Sequence, residues 1–225
     1  MVRGRETAIV ARTTGSNGAR TAAAIRRAAL RLIWKHGFAA MNLRDLAAEV
    51  GIQPGSLYNH IETKQGLLAD LIREHMTELI AATDEALHAA GPDTIARLRA
   101  FAAHHVLYHL ERRQEVYIAN FELRALDPTN YGRIVALRRA YEERLIALLD
   151  AGTAEGRLEV ADSRVAAYAI LAMLTGVCTW YRPGGRLDKQ ALVEAHLALM
   201  LDGIARRRIP GESETPGGVN HAIKQ

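Results

Sequence analysis

Apolar positions recur along the chain at helical spacing, and no segment alternates convincingly as a strand. Ile25, Ala29, Leu32 and Ile33 form a first stripe, with Arg26, Arg27, Arg31 and Lys35 on the opposite side. Gly37 is placed to end that helix in the left-handed conformation, with Phe38 folding back on it. Asn42 can cap a second helix, with Asp45 in its first turn and Leu43, Leu46, Ala47 and Val50 on one face. Gly51 then makes a turn and Ile52 plugs the core. Pro54 opens a third, short helix at the position where its missing N–H costs nothing. Two short helices joined at a glycine, the second opened by a proline, predict a helix-turn-helix.

The longer remainder is punctuated by Pro92, Pro128 and Pro183. Pro92–Asp93 opens one helix, and Asp127 caps another with Pro128 at its first position. "AGTAEGRLEVAD" breaks the chain again. Asp162 then caps an apolar helix running toward Trp180, and Asp188 caps a last helix with the stripe Val193, Leu197, Met200, Leu201 and Ile204. The expected fold is all-α, with a three-helix head over residues 18–78 and a larger helical body over 79–209. A basic tail (1–17) and a Gly/Pro-rich tail (210–225) are expected to be disordered.

Composition agrees. Aromatics make up only 5% while alanine and leucine dominate, which favours helices. A single cysteine, Cys178, excludes an internal disulfide framework and fits a reducing interior. The basic start lacks the apolar core of a signal peptide. The longest apolar stretch, Val165 to Tyr181, sits at the lower edge of the ~17–25 residues that span a bilayer. Its alanines, Thr175, Gly176 and Thr179 suit a buried helix better. The expectation is a soluble, cytoplasmic protein with no membrane partner.

Charge changes the picture. Residues 1–64 hold ten Lys/Arg against four acids, a net +6, while the remaining 161 residues balance to −2. A positive head on a near-neutral body points to a polyanion. On the third helix Leu57 and Ile61 face inward with Ile52, leaving Gly55, Ser56, Tyr58, Asn59 and His60 outward. Gly55 and Ser56 are small enough for close approach to base edges, Asn59 can bond a base or a phosphate, and Tyr58 and His60 suit phosphate oxygens. Thr63 and Lys64 open the next helix, where free N–H groups favour an anion. The bland alternative is a helical hairpin whose polar face meets only water.

"AALRLIWKHGFAAMNLRDLAAEVGIQPGSLYNHIETKQGLLADLI" resembles the DNA-binding domain of the TetR family of bacterial transcriptional regulators, without a gap from about Arg20 to Ile72. The most specific parts are "LRDLAAEVGI", "GSLYNHI" and "TKQGLL". The resemblance implies that the third helix enters the major groove of double-stranded operator DNA. The DNA-facing set it implies is Asn42, Arg44, Gln53, Gly55, Ser56, Tyr58, Asn59, His60, Thr63 and Lys64, with Arg44 and Lys64 near the backbone. The chain departs from the family at Gln53, where Ser or Thr is common and caps better, at Met41, where Thr is usual, and at Ile61, where Phe is usual.

The resemblance further implies that the body is a ligand-binding and dimerisation domain, joined to a second copy by its last two helices. "TWYRPGGRL", residues 179–187, is similar to the corresponding loop of TetR-family regulators of lipid and sterol-ring catabolism, some of which respond to acyl-coenzyme A thioesters. Aromatic and guanidinium groups together can stack on adenine and hold phosphates. Trp180 and Arg182 are therefore candidate effector contacts, and Tyr108, Tyr117, Phe121 and Met173 join them as large apolar residues of the middle helices. His105 and His109 share one helical face at metal-ligand spacing, but no third ligand is fixed, so no metal or other cofactor is expected. Cys178 lies in an apolar helix whose single charged neighbour within a turn is Arg182, which argues against a redox sensor. The expected function is a ligand-responsive repressor, a homodimer and not an enzyme. The competing readings are a nucleoid-type protein that binds DNA without sequence preference, and a helical metal-dependent enzyme carrying a DNA-binding head.

Overall fold

The computed structural model describes residues 14–202, with side chains from Gly18 onward. Ile204 and the expected C-terminal tail fall outside the described residues, as does the basic tail up to residue 13. The described residues form nine α-helices and no strand: α1 (Thr14–His36), α2 (Leu43–Val50), α3 (Pro54–Leu57), α4 (Lys64–Ala89), α5 (Thr94–Glu111), α6 (Arg113–Phe121), α7 (Pro128–Ala154), α8 (Ser163–Trp180) and α9 (Lys189–Leu201). A short 3-10 turn, Leu123–Ala125, links α6 to α7. Helix α1 starts at Thr14, inside the expected tail.

The punctuation in the sequence explains most of these limits. Asn42, Thr63, Asp93, Asp127, Asp162 and Asp188 each accept a hydrogen bond from a backbone N–H in the first turn of the helix that follows. Pro54 and Pro128 occupy first-turn positions where no donor is needed. Gly51 sits at φ 76°, ψ 34° and returns its N–H to the end of α2, a left-handed turn that a side chain would strain. Gln53 makes no side-chain cap on α3, as its departure from the family pattern implies.

In the head, α1, α2 and α3 close over Ile25, Ile33, Leu46, Ala47 and the fully buried Leu57. Truncating Leu57 to alanine would cost roughly 2–5 kcal/mol. The same apolar cluster continues into the body through α4, which runs unbroken past the expected boundary at residue 78. Helices α5 and α7 pack on α4, α8 packs on α5 and α7, and α9 packs on α5, with a second cluster centred on Val106, Leu174, Val177 and Leu197.

Helix α8 is apolar nearly all round, and within one chain only Ala167, Leu174 and Val177 of it are buried. Its other face exposes Val165, Tyr168, Ala169, Ala172 and Trp180, and α9 adds the exposed Ala191, Ala195, Ala198 and Leu199. By length and composition α8 would also pass as a membrane span. It packs against α5 and α7 in a helical body capped by charged residues.

Candidate nucleic-acid interface and effector cavity

The α3 segment is a single α-helical turn that tightens after Leu57, with His60 N–H and Ile61 N–H both donating to the Leu57 carbonyl (2.8 and 3.0 Å). This compact turn points Leu57 into the core and leaves Gly55, Tyr58 and Asn59 exposed, with Ser56 and His60 half-buried. Tyr58 is 61% exposed, unusual for a large aromatic side chain. A Cβ built at Gly55 meets nothing within 4 Å, so the small residue is not needed for packing within the head. Arg44 and Gln53 are exposed on the same turn-bounded surface.

Three members of the predicted DNA-facing set already have work inside the chain. Asn42 Oδ1 accepts from Asp45 N–H (2.8 Å) and its Nδ2 donates to Asp45 Oδ2 (2.6 Å), so its side chain is a helix cap. Thr63 Oγ1 accepts from Gly66 N–H (2.8 Å), leaving its hydroxyl proton free. Lys64 Nζ donates to the Ala39 carbonyl (3.3 Å) and lies 4.4 Å above the Phe38 ring. The surface free to meet DNA therefore centres on Gly55, Ser56, Tyr58, Asn59 and His60, with Arg44, Gln53 and the Thr63 hydroxyl beside it.

A cavity of about 390 Å³ lies in the body. Its closed end is built by His75, Met76 and Leu79 of α4, His105 and His109 of α5, and Tyr141 of α7. The buried Ala119 of α6 adds to the wall, and Asn120 of α6, Arg138 and Glu142 of α7, and Tyr168 and Ala172 of α8 form the rim. His105 uses both ring nitrogens, one with Tyr141 Oη (2.8 Å) and the other with Thr175 Oγ1 (3.0 Å). It stacks on His109 at 3.7 Å between ring centroids. Burial is the first cause that lowers the pKa of both His75, to about 4, and His109, to about 3, with nearby positive charge adding to it. These imidazoles are therefore neutral at neutral pH.

None of the six residues predicted to contact an effector lines this cavity. Tyr108 is buried just behind it, ringed by His75, His104, His109 and the Arg112 guanidinium. Tyr117 packs edge-on against Trp34 of α1 and stacks with Phe121, which is 62% exposed on the outer surface. Met173 packs in the second apolar cluster. Trp180 stacks on His196 of α9, and Arg182 is exposed in the loop beyond. Tyr108, Tyr117 and Met173 serve helix packing, while Tyr141 and Tyr168 line the cavity. The histidine pair considered for a metal lines the cavity instead, and with both His105 nitrogens engaged that ring has no lone pair to offer an ion. No group of three metal-ligating side chains converges among the described residues. Arg113 donates to the Cys178 carbonyl (2.9 Å), and burial raises the Cys178 thiol pKa. His75 could have been found from sequence, since it interrupts the otherwise apolar face of Ile72, Met76 and Leu79. Arg138 could not, because it looks like any charge on a solvated helix face.

The cavity and the head are joined through α6. Arg138 donates to Ala119 O (3.2 Å) and Asn120 Oδ1 (3.1 Å) at the rim. One turn on, Glu122 Oε1 accepts from Phe38 N–H of the head (3.0 Å). Gln65 at the start of α4 donates to Ala125 O (2.7 Å) and accepts from Asp127 N–H (3.2 Å). Arg26 of α1 pairs with Glu74 of α4.

A helix-turn-helix head with a bare polar recognition turn, rigidly continued into a helical body with a ligand-sized cavity, defines a DNA-binding regulator of the ligand-responsive kind. Residues 25–71 match the family described as bacterial regulatory proteins of the tetR family, and residues 91–204 match the tetracyclin repressor-like C-terminal domain. The chain belongs to the TetR family. It is 27% identical over 203 residues to the HTH-type transcriptional repressor KstR2 of Rhodococcus jostii, covering 86% of this chain and 94% of that protein. Its fold matches the TetR-family regulator PfmR of Thermus thermophilus with TM-score 0.74 and 30% identity, over 81% of this chain and 99% of that one. It also matches the fold of AibR, solved in complex with isovaleryl coenzyme A and operator DNA, with TM-score 0.72 and 24% identity over 80% and 98% of the two chains.

Proposed function

We propose that the chain is a homodimeric, cytoplasmic repressor that reads a palindromic operator and is released by an acyl-CoA or a related apolar acid. The observation that carries this reading is the path from cavity to head. Helices α6 and α7 contribute to the cavity rim, and the short segment joining them, Glu122 to Asp127, holds Phe38 and Gln65. A ligand that moves the rim changes the seating of the head, and an effector acts only through such a difference between states. The exposed apolar faces of α8 and α9 supply the dimer surface, and two heads on one two-fold axis read two half-sites. A KstR2-like repressor and a coenzyme A-bound structural neighbour support the assignment of repression and of the effector class.

The cavity volume lies at the lower end of small-molecule sites, which span roughly 300–1,000 Å³, so it holds an acyl group and not a coenzyme as well. Trp180 and Arg182, one to two turns beyond the cavity-lining Gly176, are the groups we assign to the coenzyme portion. The test is selection of genomic fragments on the purified protein at physiological salt, repeated with medium-chain acyl-CoAs added. One enriched palindrome that is lost on adding acyl-CoA is the expected result. Uniform recovery that follows only fragment length would instead make the protein a non-specific DNA binder.

A further inference from the structure

We propose that the cavity is a carboxylate site, in which an acid with an apolar body docks its carboxylate on Arg138 and on the ring N–H groups of His75 and His109. This rests on the effector reading above and specifies the polar end of the ligand. His75 and His109 are 5% and 4% exposed, and both line the cavity. Neither Nδ1 has a hydrogen-bond partner among the described residues, although the His105 backbone one turn back interacts with the His109 ring. A buried ring nitrogen left unpaired is costly, so two of them on residues that line one cavity mark the place of a ligand atom.

Arg138 supplies the charge. It bonds only to the neutral Ala119 and Asn120 groups and pairs with no carboxylate among the described residues, whereas Arg26, Arg112 and Arg144 each pair with one. Its field reaches both His75 and His109. The other charged or titratable groups around them are Arg112 beside His75, Tyr108 against both rings, His104 and the stacked His105 beside His109, and Glu142, one turn along α7 and beyond ion-pair distance from Arg138. The imidazoles stay neutral, so they donate and leave the guanidinium as the cation of the site. A neutral amide or a thioester carbonyl could satisfy the imidazoles but would leave Arg138 unpaired, whereas a carboxylate accepts from all three. The surrounding Met76, Leu79, Leu171 and Ala172 select an apolar body. The carboxylate could arrive on a free acid or on the far end of an acyl thioester.

Isothermal titration of the full chain with four probes separates these cases: cyclohexanepropanoate, its primary amide, hexanedioyl-CoA and octanoyl-CoA. We expect cyclohexanepropanoate to bind at least ~10-fold tighter than its amide, or hexanedioyl-CoA to bind at least ~10-fold tighter than octanoyl-CoA, according to which source the site takes. Arg138→Gln should erase that preference and Arg138→Lys should retain part of it. Melting temperature serves as the check on folding, and the wild-type acid-to-amide ratio stands by itself if the Gln variant does not fold. Equal binding within both pairs, or a preference that survives in Arg138→Gln, would overturn the carboxylate site while leaving the regulator ligand-responsive. Failure of all four probes to bind would overturn both.

Discussion

Acidification should destabilise the body through its buried histidines. In the unfolded chain an imidazole takes up a proton below about 6.5, whereas His75 and His109 in the fold resist protonation until about 4 and 3. Both pKa values are depressed, so this stability is fully present above 6.5 and is lost as pH falls toward the folded values. At pH 5 the unfolded imidazole is protonated by a factor of about 30 while the native one stays neutral, which costs ~2 kcal/mol per residue. His75 and His109 together should therefore cost about 4 kcal/mol between pH 7 and 5, a large share of the 5–15 kcal/mol typical of a whole domain. The fully buried His105 adds to the loss in the same direction. The lowered pKa values of Asp84, Asp93 and Asp127 act below this window, since their ordinary value is 3.8. Urea unfolding at pH 7, 6 and 5, at fixed protein concentration, should show the fall in the wild type and a shallower one in the double variant His75→Gln, His109→Gln. A wild-type stability flat across that range, or an equal fall in the double variant, would refute the reasoning.

Gly55→Leu should fold normally, because a Cβ there meets open space, yet should abolish operator binding in a mobility-shift assay. Asn59→Ala should cost about 1–3 kcal/mol on the operator and little on random DNA, if Asn59 reads a base edge. Gln65→Ala together with Glu122→Ala should leave the effector Kd nearly unchanged and reduce its power to release DNA, measured by anisotropy of labelled operator with and without effector. Val165→Glu, on the exposed face of α8, should shift the protein to monomer in analytical ultracentrifugation without loss of helix content.

Much of the head was legible in the sequence because its chemistry is local. A left-handed glycine, an Asn cap, a first-turn proline and a Leu at the one inward position leave few other conformations open to residues 37–61, and they also decide which side chains face outward. The caps of the body were legible for the same reason, each being a contact between a side chain and a backbone N–H two or three residues away. The division of labour among side chains was not. That Lys64 is occupied within the head, that α8 buries one face and exposes the other, and that Tyr117 packs on Trp34 all depend on residues distant in sequence. The cavity is the extreme case. His75, His105, His109, Asn120, Arg138 and Tyr168 come from five helices, and no spacing along the chain brings them together. The sequence by itself determined the all-α fold and the DNA-reading turn, because short-range hydrogen bonds and helical periodicity suffice for both. Only the tertiary structure decided where a ligand can sit, because a cavity is what close-packed helices leave between them.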